Sequence, residues 1–294
     1  MFLQSPANLI LIFVCPLECG VLKSELTITE KFDQLTHSPT EESMSSFNNI
    51  KTKNLSTAEI VRRVDFTDDL FKLWIKTEIA FTFKPGQYIT IGSNNIERPY
   101  SIASAPAENL LELFVEYIPP EHGGNLTPYL WNHRVGDRLT IRPRAKGIFT
   151  FEPKYVNHVM VSTVTGVAPY VSILRQYIMD GLNDHKFFVM DGASYMNEFV
   201  YDDELNEMQK SFPDNITFIP SVSRPSEKQN HSWKGATGRI NSLVESYLSK
   251  WELKQDETLI YTCGHPQMIE DIKTRMAPIG WNVKEERFWK EDGA

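Results

Sequence analysis

Apolar and polar residues fall into two rhythms along this chain, and each predicts its own architecture. Between residues 57 and 143 the apolar runs are short, partly alternating and broken by turn residues. Strands are predicted over 61–66, 70–75, 88–91, 110–117 and 138–141, with Lys84-Pro85-Gly86-Gln87 and Gly136-Asp137 as turns. One short helix, 126–131, interrupts them. Many short strands with regular turn signals predict a small antiparallel β-barrel. From about residue 158, strand-length apolar runs at 159–162, 186–190, 216–219 and 259–262 alternate with helical patterns at 170–179, 202–209 and 240–251. That alternation predicts a parallel sheet with helices on both faces. The expected fold class is two-domain: an antiparallel β-barrel over 44–153, then an α/β parallel-sheet domain over 154–294, with the boundary near Glu152-Pro153-Lys154.

The first 43 residues follow neither rhythm. Residues 9–14 are apolar, but the run is far short of the ~20 residues a spanning helix needs. No Lys or Arg precedes Lys23, so the basic start of a secretory signal is missing. The polar stretch behind it has the composition of disorder. Met44 opens the patterned region, and we expect it to be the native start, with 1–43 a disordered or misassigned extension. A targeting peptide is the alternative.

Charge and cysteine usage narrow the function. With 30 Lys and Arg against 38 Asp and Glu the net charge is -8, which predicts no nucleic-acid partner and no stable membrane insertion. The three cysteines are Cys15, Cys19 and Cys263, too few and wrongly spaced for an iron-sulfur cluster, and no metal site is expected. A chain of this kind that moves electrons must hand them to a separate carrier.

Three segments carry the candidate chemistry. Arg98-Pro99-Tyr100-Ser101 places a cation, an aromatic face and a hydroxyl within four residues at the end of a strand-like run. An arginine fork matches a pyrophosphate by paired hydrogen bonds and a Tyr face stacks on a planar ring, so the segment suits a flavin nucleotide. Thr163-Val164-Thr165-Gly166-Val167-Ala168-Pro169 is a hydroxyl-rich turn leading into a helix, where backbone N-H groups and the helix dipole favour phosphate. Cys263-Gly264-His265-Pro266 puts a polarizable thiol beside Gly directly after a buried strand.

That ordered set resembles the ferredoxin-NADP reductase family, most closely its bacterial ferredoxin or flavodoxin reductase branch, over roughly residues 44–290. The resemblance implies that the barrel holds FAD, with Arg98 on the pyrophosphate, Pro99 beside it, Tyr100 against the ring and Ser101 near its polar edge. It adds Glu116 and Tyr117 at the end of a strand, and Gly124, Asn125, Leu126 and Thr127 as a Gly-rich turn for the pyrophosphate, with Thr127 a possible N-cap. It implies that Thr165, Gly166 and Pro169 receive the NADP pyrophosphate, although Val164 stands where the family has its first Gly. Arg224 and Arg239 match the cations that grip the 2'-phosphate, while Ser194 stands where the family has another Arg. Cys263 and Gly264 would lie at the nicotinamide, making Ser101 and Cys263 the catalytic pair. Phe288 and Trp289 match the branch's aromatic tail over the flavin.

The function so implied is electron transfer between NADPH and ferredoxin or flavodoxin by a cytoplasmic monomer. Lys51, Lys53, Arg62, Arg63, Arg142, Arg144 and Lys146 are the basic candidates for meeting an acidic carrier. Val164 and Ser194 keep two alternatives open: a general NAD(P)H-flavin, quinone or oxygenase-partner reductase, and a non-catalytic flavin- or nucleotide-binding redox sensor.

Overall fold

The computed structural model describes residues 55–181 and 184–287. The expected start at Met44, the extension before it, Lys51, Lys53, Phe288 and Trp289 lie outside the described residues.

Six antiparallel strands form the first sheet: β1 (Ser56–Asp65), β2 (Leu70–Thr77), β3 (Tyr88–Ser93), β4 (Ile96–Ser101), β5 (Leu111–Glu116) and β6 (Arg138–Ile141), in the order β4-β3-β6-β1-β2-β5. The ends meet: Ile102, just past β4, bridges Leu113 of β5, and Ala103 N-H donates to the Glu112 carbonyl at 2.8 Å. This closure makes the sheet the expected barrel. Asn94 and Asn95, with φ of 50° and 63°, turn the β3–β4 hairpin, because Asn tolerates the left-handed region that a tight hairpin demands. The helix α1 (Thr127–Asn132) lies between β5 and β6.

Strand β5 is buried on both faces, which is why its sequence runs apolar without alternation. Leu111, Leu113 and Val115 point into the barrel with Phe71, Leu73 and Ile75 of β2. Phe114 and Leu70 point the other way, into a core shared with the second half of the chain.

That half has a parallel sheet ordered β10-β9-β8-β7-β11-β12. Its strands are β7 (Asn157–Thr163), β8 (Lys186–Ala193), β9 (Ile216–Val222), β10 (Ala236–Thr237), β11 (Thr258–Cys263) and β12 (Asn282–Glu286). The helices are α2 (Ala168–Met179), α3 (Asp202–Ser211), α4 (Ile240–Lys250) and α5 (Pro266–Met276). Met160, Phe187, Val189 and Tyr261 pack on the α2 face, while Val159, Val161, Phe188 and Ile260 pack on the α4 and α5 face. Helix α5 and strand β12 were not anticipated from the sequence. Among the described residues no helix is long and apolar enough to cross a membrane.

Helix α2 fastens the two sheets together. Ser172 Oγ donates to the Ser104 carbonyl at 2.7 Å in a fully buried position. Arg175 reaches Glu112 at 2.7 Å and Glu204 at 2.6 Å, and Glu112 accepts from the Tyr201 hydroxyl at 2.8 Å and pairs with Lys72 at 3.3 Å. Burial opposes the charge on Arg175, but the carboxylates of Glu204 and Glu112 more than offset it and hold the guanidinium charged.

Candidate functional site

Strand order in the parallel sheet reverses between β7 and β11, and in sheets of this kind the crevice beyond the carboxyl ends of the reversing strands receives ligands. A cleft of about 600 Å³ opens there and runs across to β4 of the barrel.

It brings together most of the residues singled out from the sequence. Arg98, Pro99, Tyr100, Ser101, Glu116, Gly124, Asn125, Leu126, Thr127, Thr165, Gly166, Arg224, Arg239, Cys263 and Gly264 all line it. Tyr117 does not; it packs against Trp131 on the barrel core, at 5.4 Å between ring centroids. Pro169 does not line it either and sits in the first turn of α2, where a missing N-H costs nothing.

On the barrel side, register places Arg98 opposite Ile91 and Tyr100 opposite Ile89, so β3 fixes both. Arg98 is exposed and, among the described residues, donates only to the neighbouring Glu97 carbonyl at 2.7 Å, which leaves most of its fork to the cleft. Ser101 is 8% exposed and, among the described residues, its hydroxyl has no hydrogen-bond partner. A buried hydroxyl without a partner is costly unless a ligand completes it. Gly124 must be Gly, since a Cβ there would stand 1.7 Å from the Ile118 carbonyl oxygen. Thr127 is not an N-cap: Leu126 takes that position, and the Thr127 hydroxyl donates to Ile118 O at 2.9 Å and accepts from Ile118 N-H at 3.0 Å. It latches the loop. Contact with an anion here would fall to the backbone.

On the nucleotide-like side, residues Val164–Val167 form a 3-10 turn ahead of α2. Val164 has a φ of 46°, a left-handed conformation that a β-branched residue adopts only under strain. The turn thus keeps the backbone shape a Gly would give, with a Val side chain added. A Cβ on Gly166 would stand 2.2 Å from the Cys263 carbonyl oxygen, so the two loops touch backbone to backbone. The Thr163 hydroxyl completes the join by accepting from His265 N-H at 2.7 Å.

Cys263 is fully buried and burial pushes its thiol well above the ordinary range, so it stays neutral. Beside it in the β11–β12 pairing is Glu286, whose carboxyl is raised to about 7 by burial. Glu116 is also raised to about 7, by burial and by the carboxylates of Asp69 and Glu198. Asp191 is raised to about 7 by burial despite the Ser162 hydroxyl that donates to it at 2.7 Å.

Thr163, at the head of its candidate segment, lines the cleft as well, as do Gln267 and Met268 just behind Cys263-Gly264-His265-Pro266; Gly192 and Asn241 line it and were missed. Gly192 had a legible signal: a Gly ending a strand of a parallel sheet marks close approach, here to Ile240, 2.8 Å from where its Cβ would stand. Among the basic docking candidates, Arg63 is a correction. Its side chain is 6% exposed and donates to the carbonyls of Leu130, Trp131 and His133 at the end of α1, so it is not a surface cation. Arg142 is paired with Glu97 at 2.6 Å.

Comparison with known proteins agrees with this geometry. The family described as oxidoreductase NAD-binding domain matches residues 160–274. A flavodoxin/ferredoxin-NADP reductase of Buchnera aphidicola subsp. Schizaphis graminum is 29% identical over 234 residues, covering 73% of this chain and 87% of the relative. The enzyme of the same name from Escherichia coli is 26% identical over 228 residues, covering 74% and 88%. The crystal structure of a ferredoxin NADP+ reductase from Neisseria gonorrhoeae with bound FAD and NADP superposes with a TM-score of 0.70 at 22% identity, covering 81% of this chain and 100% of that one. An antiparallel barrel, a parallel sheet whose reversal point faces it, and these relatives lead to one conclusion: the chain is similar in sequence to flavodoxin/ferredoxin-NADP reductases and shares the two-sheet fold of a solved ferredoxin NADP+ reductase.

Proposed function

We propose that this chain is an FAD-dependent oxidoreductase that transfers electrons between NADPH and a ferredoxin or flavodoxin. The observation that carries the reading is the single cleft onto which Arg98, Tyr100, Ser101, Thr165, Gly166 and Cys263 converge from two differently built sheets. The residues fit both groups: the Ser101 hydroxyl, partnerless among the described residues, asks for a polar ligand atom, and Gly166 and Cys263 meet backbone to backbone in the wall of the cleft.

A flavin held by Arg98, Tyr100 and Ser101 would supply the chemistry of hydride acceptance and single-electron release. The chain supplies position and dryness. Arg98 sets a positive charge at the pyrophosphate, and Tyr100, its phenol held neutral by burial, offers an uncharged face. The Ser101 hydroxyl, buried and without a partner among the described residues, would hydrogen-bond the polar edge of the ring. Cys263 keeps a neutral, soft wall against the nicotinamide, and Glu286 holds a proton near neutrality beside it. Arg224 and Arg239 attract the phosphorylated ribose at the far end. The same reading places the protein in the cytoplasm as a monomer, the barrel over residues 44–153 and the nucleotide domain over 154–294.

A general NAD(P)H reductase is the second reading, favoured by Val164 in the turn and Ser194 at the adenine end. Cytochrome c reduction by NADPH separates the two. Strong acceleration by added ferredoxin or flavodoxin supports the first reading; an equal rate with and without either carrier supports the second.

A further inference from the structure

The loop after β9 carries an arrangement that the proposed chemistry does not use. Arg224 Nη1 donates to the Tyr195 hydroxyl at 2.8 Å, and its guanidinium carbon lies 5.3 Å from the centroid of that ring. The same hydroxyl donates to Glu227 Oε2 at 2.6 Å, and Glu227 Oε1 lies 3.8 Å from Arg224 Nη1. One hydroxyl therefore bridges a cation and a carboxylate, and the carboxylate cancels much of the charge that Arg224 presents to the cleft.

The arrangement is built in. Asn230, 2% exposed, donates to the carbonyls of Ser194 and Arg224, each at 2.9 Å, and accepts from Met196 N-H at 2.9 Å. It thereby holds the Arg224–Glu227 turn against the segment that follows β8. A second carboxylate, Glu198, accepts from the N-H groups of Ser194 and Tyr195 at 2.7 and 3.3 Å. The Ser194-Tyr195 step is thus bracketed by two acids. A phosphate arriving here meets a guanidinium whose Nη1 is already engaged and sits beside a like charge.

We propose that Glu227 is a specificity-determining residue that weakens selection for a 2'-phosphate on the adenosine ribose. The site then accepts unphosphorylated nicotinamide nucleotide with a smaller penalty than Arg224 and Arg239 alone would set. This inference rests on the cleft being a nucleotide site, so its test uses ligands that report on each separately.

Calorimetric titration of the full chain in its flavin-bound form with 2'-phospho-5'-AMP and with 5'-AMP decides it, comparing wild type with Glu227→Gln above the second phosphate pKa of about 6. The Glu227 side chain is 43% exposed, so the variant leaves the core untouched. Glu227→Gln is expected to tighten the 2'-phosphorylated ligand by about fivefold and leave 5'-AMP unchanged. The gain should shrink toward unity as ionic strength rises from about 0.01 M to about 1 M, which a merely structural role would not produce. An unchanged ratio of the two affinities, an equal change in both, or a gain indifferent to salt overturns the proposal while leaving the nucleotide site standing. Failure of wild type to bind either ligand overturns both.

Discussion

His158 makes the acid stability of this fold predictable. Its ring is 0% exposed and stacks on Phe187 at 5.0 Å between centroids, with Phe151 at 4.8 Å and His185 at 5.5 Å. Burial, and then the neighbouring His185, lower its pKa from 6.5 to about 3, against a smaller opposing contribution from a hydrogen bond to the Tyr155 backbone. Protonation therefore favours the unfolded chain throughout that interval. Stability is full above pH 6.5 and is lost as pH falls toward 3, by about 1.4 kcal/mol per pH unit and up to about 5 kcal/mol in all. Against a typical stability of about 5–15 kcal/mol, that is a large single contribution. Glu116, Asp191 and Glu286, each raised to about 7, act in the opposite sense and add stability as pH falls through 7. Their contribution is common to wild type and to a His158→Leu variant, so it cancels in the difference. Urea unfolding followed by Trp fluorescence from about pH 7.5 to about pH 4.5 should show wild type losing roughly 3 kcal/mol more than the variant. Parallel curves for the two proteins would refute the reasoning.

Three further perturbations test the account at other points. Val164→Gly removes left-handed strain of about 1–2 kcal/mol and gives up a similar amount in chain entropy and partial burial, so urea midpoints should move by less than about 1 kcal/mol. A loss of more than about 3 kcal/mol, as for an unstrained half-buried Val, would contradict the left-handed backbone. Arg175→Ala leaves Glu112 buried with only Lys72 as a cation and should cost about 3–5 kcal/mol in urea unfolding, whereas an exposed pair would cost under about 1. Ser101→Ala should slow reduction of the bound flavin by NADPH in stopped-flow mixing by about 10- to 100-fold, with flavin still bound after gel filtration, because one positioned hydrogen bond of about 1.5–3 kcal/mol is removed.

Much of the fold is legible because binary pattern and period carry it. The barrel strands, the first strand–helix–strand steps of the parallel sheet and the three chemical segments are all written locally. What stays hidden depends on partners far along the chain. Strand β12, Asn282–Glu286, is an edge strand of mostly polar residues that only its pairing with β11 makes a strand. Helix α5 opens on Pro266 directly behind a chemical motif, and that motif draws attention from the helix start it also encodes. Lys72 and Glu112 look like surface charges interrupting apolar runs, yet each points into the core between the sheets and finds its counter-charge on an element over thirty residues away. Arg63 misleads in the same way: the basic pair Arg62-Arg63 reads as a patch, while one member is spent on the carbonyls that end α1. At the site, the residue types were readable but their engagements were not. Glu227 and Tyr195 carry no motif, and only the folded loop shows them holding Arg224.

The central claim is that one cleft holds a flavin and a nicotinamide nucleotide in reach of each other. An anaerobic titration of the purified protein with NADPH, following the visible flavin band, tests it most directly. A yellow protein that bleaches with about one equivalent of NADPH, taking two electrons per flavin, is the predicted result. A colourless protein that stays so when FAD is added, or a yellow one that NADPH leaves oxidised, would contradict it.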